Sequence, residues 1–174
     1  YTSLGMAALL PHKKLSYKAD TGEVRLDDKP VASLEQRSGI LSVKNGVAIK
    51  ADDLMAMNKS QGRDFVKPYQ VVYIYHNQID ALGDKAVTEA KTFSATRTAI
   101  DEISSLIKFL VNNLNGSYIL ATADHGFIYQ GKVPTQIDKS VLDEKPACAV
   151  KTKKRYIIGQ NLGDTPKAWH GQLA

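Results

Sequence analysis

The chain has 174 residues, 43% of them hydrophobic and 24% charged, a composition that suits a single soluble globular domain, 1–174, with a core of its own. Lys and Arg outnumber Asp and Glu to give a formal charge of +5 and a pI near 9.2, which permits nucleic acid as a partner without requiring it. The longest apolar runs, at Met6 to Leu10 and near Val71 and Ile119, are too short to cross a bilayer, no basic stretch precedes an apolar one as in a leader, and the single cysteine, Cys148, makes no internal disulfide, so we expect a cytoplasmic protein with no membrane contact.

The sequence opens on Tyr1-Thr2-Ser3-Leu4 without an initiating Met, and a fragment is expected on that ground. Thr2 to Leu10 reads as a short helix: Thr2 or Ser3 caps it, Leu4, Ala7, Ala8 and Leu10 supply apolar positions, and Pro11 stops it. Alternation at Leu15/Tyr17 and Val24/Leu26 about Asp20-Thr21-Gly22 predicts a small hairpin, with a second turn at Asp27-Asp28-Lys29-Pro30. Helices follow from Ser33 to Leu41 and from Lys50 to Met57, the second opened by Asp52 and Asp53, while Asn58 to Pro68 is polar and loop-like.

Val71-Val72-Tyr73-Ile74-Tyr75 has the continuous β-branched and aromatic character of a strand buried on both faces of a parallel sheet. Ile100, Ile103, Leu106, Ile107, Leu110, Val111 and Leu114 recur on one face of a long helix that Asn115-Gly116 ends. Ser117 to Thr122 reads as a second buried strand. Strand, helix and strand then form one βαβ crossover with both strands parallel in one sheet, which makes the fold class α/β. Phe127 to Tyr129 continues as a short strand, Val133 to Ala147 is an excursion, and Arg155 to Ile158 is another strand. The basic run Lys151, Lys153, Lys154 and Arg155 reads as a solvated strand edge. We find neither internal repeats nor low-complexity segments.

In an open parallel α/β sheet ligands bind beyond the carboxyl ends of the strands, where two clusters fall. His76-Asn77-Gln78-Ile79-Asp80-Ala81-Leu82-Gly83-Asp84 follows the first strand, and Thr122-Ala123-Asp124-His125-Gly126 ends the second. Taken singly, each has a structural explanation, an Asp capping the next helix or a His-Gly turn. Taken together, Asp80, Asp84 and Asp124 would repel one another without a counter-ion, and a carboxylate and imidazole set suits zinc or manganese. His76 is either a ligand or an orienting neighbour. Thr2 stands at the first turn of a helix, where backbone N–H groups favour an oxyanion; it is a candidate nucleophile, although spacing alone favours an N-cap.

Thr2-Ser3-Leu4-Gly5-Met6-Ala7-Ala8-Leu9-Leu10-Pro11, then Tyr73-Ile74-Tyr75-His76-Asn77-Gln78-Ile79-Asp80-Ala81-Leu82-Gly83-Asp84, then Thr122-Ala123-Asp124-His125-Gly126-Phe127, resemble in the same order the PglZ family. That family belongs to the alkaline phosphatase superfamily and occurs in bacterial phage-defence systems of the BREX and phage-growth-limitation type. The resemblance implies a three-layer core with a mainly parallel sheet of the alkaline phosphatase-like type, here with a small β-hairpin excursion. It implies a dinuclear site, most simply two Zn2+ ions with Mn2+ or Mg2+ as alternatives. Thr2 would be the nucleophile bridging the metals, Asp80 and Asp84 would hold one ion, and Asp124 and His125 the other. At Asp84 the superfamily usually has His, so a carboxylate replaces an imidazole and alters the preferred metal. The resemblance also implies one ligand Asp upstream of the nucleophile and a late His. His170-Gly171 lacks the context of the family's late His-Gly motif, and His170 is read as a loop residue. A chain with too few ligands is expected to be inactive by itself.

The function implied is metal-dependent phosphoester hydrolysis, by in-line attack of a metal-activated Thr2 hydroxyl and then of water on the phospho-enzyme. The substrate would be a phosphorylated molecule or nucleic acid, and the partners other phage-defence proteins. The alternative is a degenerate, non-catalytic binding or scaffold module in a defence complex, which the absence of an upstream Asp and downstream His from the complete protein would favour. A nucleotide-binding α/β domain is set aside because neither Gly-x-x-x-x-Gly-Lys nor Gly-x-Gly-x-x-Gly occurs.

Overall fold

A computed structural model of the chain describes residues 2–79, 92–126, 135–137, 146–153, 156–163, 168–169 and 171. They fall into two compact units, one made of Tyr1–Ala32 with Gln130–Ala174 and the other of Ser33–Tyr129.

In the first unit helix α1 (Thr2–Ala8) ends as Leu10 N–H donates to the Ala7 carbonyl at 3.0 Å, just before Pro11. The helix packs on β2, and Ala7 and Leu10 are buried, as are Val24, Leu26 and Val31. Strands β1 (Leu15–Tyr17) and β2 (Val24–Leu26) pair antiparallel with Leu15 opposite Leu26 and Tyr17 opposite Val24, the expected hairpin. The expected second turn carries β2 into β3 (Lys29–Pro30), with Asp27 and Asp28 both left-handed at φ 47° and 63°. A two-residue turn with positive φ at both centres matches the strand twist, and short Asp side chains tolerate it. The Asp27 carboxylate accepts the backbone N–H of Lys14 at 2.8 Å and of Lys13 at 3.1 Å. These bonds, that from Lys14 foremost, hold its carboxyl below the usual range. Later in the chain β6 (Ala149–Thr152) and β7 (Ile157–Gly159) form an antiparallel pair, with Lys151 of the basic run in β6.

The second unit is assembled from capped helices around a parallel strand pair. Helix α2 (Leu34–Leu41) opens on a reciprocal capping box in which Gln36 N–H donates to Ser33 Oγ and Ser33 N–H to Gln36 Oε1, each at 3.1 Å. After a 3-10 turn at Ser42–Lys44, left-handed Asn45 (φ 50°) leads into β4 (Gly46–Lys50). Helices α3 (Ala51–Met55) and α4 (Lys59–Val66) cross over to β5 (Val71–Tyr75), which lies parallel to β4 with Gly46 opposite Val71. Asn45 fixes that register from both ends of its residue: its carbonyl accepts Gln70 N–H at 2.8 Å and its Nδ2 donates to the Pro68 carbonyl at 3.0 Å. Gly46 is required there, because a Cβ would sit 2.5 Å from Val71 Cγ1. Helix α5 (Thr92–Leu114) closes the layer, with Leu106 and Leu114 buried against Ile49, Ala51 and Leu54.

Three expectations change. Asn58 to Pro68 is not a loop: Asn58 and Gln61 form a second capping box, and the polar helix it starts turns only Gly62, Phe65 and Val66 inward. The parallel partner of β5 is β4, a five-residue strand that ends on Lys50, where the sequence predicts the start of the next helix. Ser117 to Thr122 is not a buried strand: Tyr118 and Leu120 are 88% and 76% exposed, and the segment carries no strand hydrogen bonding. A strand of that composition needs cover on both faces, and among the described residues no second layer covers it. The structure is thus mixed α/β with a small parallel sheet, and no helix among the described residues is long and apolar enough to cross a membrane.

Candidate functional site

Parallel pairing of β4 and β5 sends both strands toward the same edge, and His76 is the first residue past it. Its Nε2 lies 2.7 Å from Glu102 Oε2 on α5, and Gln78 Nε2 donates to the other Glu102 oxygen at 3.4 Å. A carboxylate only accepts, so Nε2 carries the proton and in the neutral ring Nδ1 keeps a lone pair. The contact is sheltered on the imidazole side, with the His76 side chain 17% exposed and that of Glu102 39%. One residue back, at the end of β5, Tyr75 takes the Arg37 guanidinium on its ring face, 4.7 Å from the centroid. Burial pushes the Tyr75 phenol up, and the Arg37 charge pulls the other way from over the ring, outside hydrogen-bond geometry with the hydroxyl.

The second cluster, Asp124-His125-Gly126, follows α5 through the exposed 117–123 segment rather than through a strand. His125 Nδ1 lies 3.0 Å from the Gly126 carbonyl, which can only accept, so Nδ1 is the protonated nitrogen. Its Nε2 then faces Asp124 Oδ2 at 3.4 Å. That oxygen is buried and makes no hydrogen bond among the described residues. A buried carboxylate oxygen without a hydrogen-bond partner, set beside an imidazole nitrogen, is a place where a cation held by both groups would satisfy the carboxylate. The donor set of hard oxygen and imidazole nitrogen fits a divalent metal of the zinc or manganese type.

Thr2 belongs to the first unit, where it is the half-buried first residue of α1. Asp80, Asp84 and His170 lie outside the described residues, as does the strand expected at Phe127 to Tyr129. Among the described residues no group of three or more His, Cys, Asp or Glu side chains gathers to hold an ion, and the structure brings together two pairs, Asp124 with His125 and His76 with Glu102. Glu102 escaped the sequence reading because a single carboxylate beside a helix's apolar stripe looks like any solvated position. Its one signal is distance: it lies 26 residues after His76, across the crossover that brings α5 back to β5.

The description "BREX system PglZ alkaline phosphatase-like domain" matches residues 1–174, the whole chain. This chain belongs to the PglZ family. An alkaline phosphatase-like protein BrxZ of Escherichia coli O9:H4 (strain HS) is 45% identical over 175 residues, covering 100% of this chain and 20% of the relative. An alkaline phosphatase-like protein PglZ of Bacillus cereus (strain H3081.97) is 45% identical over 160 residues, covering 91% of this chain and 18% of the relative. The PglZ-family chain therefore spans about a fifth of the length of these curated relatives. No solved structure matches it.

Proposed function

We propose that this PglZ-family chain carries the catalytic residues of a metal-dependent phosphoester hydrolase in a cytoplasmic phage-defence protein, working beside other proteins of a BREX system. The observation that carries the reading is the Asp124–His125 pair, in which a buried, unbonded carboxylate oxygen faces an imidazole nitrogen whose opposite nitrogen is tied to the Gly126 carbonyl. Asp124 and His125 would hold one ion and Asp80 and Asp84 the second. Bound there, divalent metals supply charge stabilisation for a phosphoryl group and lower the pKa of nearby hydroxyls.

The chain's own residues do the remaining work. Thr2 Oγ1 attacks phosphorus in line, the P–O bond to the leaving group breaks as the Oγ1–P bond forms, and the hydroxyl proton passes to solvent. Water then attacks phosphorus on the phosphorylated threonine, breaking the Oγ1–P bond and restoring the hydroxyl, with release of phosphate from a monoester substrate or of a phosphomonoester from a diester. The tie from His125 Nδ1 to a backbone carbonyl fixes the ring's tautomer throughout. The substrate is a phosphorylated small molecule or nucleic acid.

A non-catalytic binding module is the second reading, favoured by the exposed Tyr118 and Leu120 close in sequence to Asp124. Thr2→Ala in the full-length protein separates the two. We expect loss of turnover on an aryl phosphate and on an aryl phosphodiester, with metal content kept, and a stability loss of no more than about 0.5–2 kcal/mol from the helix start. Thr2→Ser keeps the attacking oxygen and part of the rate. Full activity in well-folded Thr2→Ala protein would remove Thr2 from the chemistry.

A further inference from the structure

We propose that His76 is a further nitrogen ligand of the metal centre, through Nδ1, and that Glu102 is the positioning residue that makes it one. The inference rests on the metal-hydrolase reading above and adds to it a donor from β5 and an orienting carboxylate from α5. It starts from the 2.7 Å contact between His76 Nε2 and Glu102 Oε2. Because the carboxylate can only accept, the proton sits on Nε2, and Nδ1 is the nitrogen left with a lone pair. Among the described residues no hydrogen bond to that Nδ1 exists. Metal-bound histidines characteristically donate their other ring N–H to a carboxylate or a backbone carbonyl, which fixes the tautomer and makes the ligating nitrogen more basic.

The two histidines of this unit show the same design in mirror form. In His125 the backbone carbonyl of Gly126 holds Nδ1–H and Nε2 faces Asp124; in His76 the Glu102 carboxylate holds Nε2–H and presents Nδ1. His76 also lies where ligands bind in a parallel sheet, directly past the end of β5 and four residues before Asp80. An imidazole at this point would add a nitrogen donor, which moves a site's preference from magnesium toward zinc. A purely structural ion pair between β5 and α5 is the competing account of the same contact. The two differ in whether Glu102 matters to metal affinity or only to folding.

The test uses the full-length protein, Zn2+ affinity from chelator competition, and the visible absorption of the Co2+-loaded form. In Glu102→Gln the charge is lost: the neutral amide oxygen accepts from Nε2–H more weakly and the amide NH2 competes for the other tautomer, so Nδ1 becomes a poorer ligand. We expect affinity for one of the bound ions to fall by roughly 10–100-fold, with the melting temperature of the chelator-treated protein unchanged. His76→Ala should fall at least as far and change the Co2+ bands, and added imidazole should restore them in part. Unchanged affinity and unchanged Co2+ bands in both variants, with wild type binding metal, would overturn the inference and leave the hydrolase reading standing. A drop in melting temperature of the chelator-treated variants without any change in affinity would assign the pair to folding and overturn it too. Wild-type protein that binds no divalent metal would overturn both. If Glu102→Gln does not fold, His76→Ala decides alone by the same criteria.

Discussion

Single residues in this chain act mainly by placing lone pairs. Asp27 is the clearest structural case, with its carboxylate gathering Lys13 and Lys14 N–H groups while its own backbone is left-handed. Its folded pKa lies below the unfolded value, so the carboxylate stabilises the fold above about pH 3.8 and that contribution is lost as pH falls through the lower folded pKa. Asp27→Asn keeps a side chain that tolerates positive φ but gives up the charge, whereas Asp27→Ala gives up both. Melting temperatures near neutral pH are expected in the order wild type, Asn, Ala. The gap between wild type and Asn should narrow progressively as melts are run at pH values falling below 3.8, because a protonated Asp resembles Asn; a gap that stays constant down to the acid end of the series would assign the effect to shape instead of charge. The residues proposed for chemistry were legible at this scale where a motif named them, as with Thr2, Asp124 and His125. Glu102 was not, because its partner is set by a helix crossing that no local pattern encodes.

At the scale of elements, the hairpin, α2, α5 and, apart from Lys50, α3 were legible in the sequence, and two of the misreadings fail in opposite senses. Helix α4 is almost entirely polar, so its period was invisible, and what starts it is the Asn58–Gln61 box. What keeps it is close approach to α5: a Cβ on Gly62 would lie 2.7 Å from Leu114 Cδ2, and Arg63 reaches across to the Asn113 carbonyl at 2.6 Å and Asn115 Oδ1 at 3.2 Å. Asn58→Ala should therefore cost about 0.5–2 kcal/mol, as a lost cap does. Gly62→Leu should cost more than Asn58→Ala, since Leu114 is 7% exposed and has little room to yield. Denaturant melts of both variants check the order, and a Gly62→Leu protein as stable as wild type would show that α4 and α5 do not cross closely. Ser117 to Thr122 fails in the opposite sense: its Tyr, Ile, Leu and Thr content marks a strand only where something covers it, and composition alone does not supply the cover.

For the molecule as a whole, membership of the family was readable from three short motifs in order, while the only parallel sheet among the described residues is the two-stranded pair of β4 and β5. The chain spans about a fifth of its curated relatives, and the resemblance implies ligands beyond Asp80, Asp84, Asp124 and His125, namely an Asp upstream of the nucleophile and a late His. A metal held by fewer donors binds more loosely, and its site is less well formed without the rest of its ligands. Residues 1–174 produced alone should then retain Zn2+ only weakly and hydrolyse an aryl phosphate at or near the buffer rate, while the full-length protein hydrolyses it in a chelator-sensitive way. Both are measured in the same assay, with metal content read in parallel on each preparation. If 1–174 alone turned over substrate robustly and lost that activity to chelator, the centre would be complete within these residues, and His170, read here as a loop residue, would become the first position to mutate.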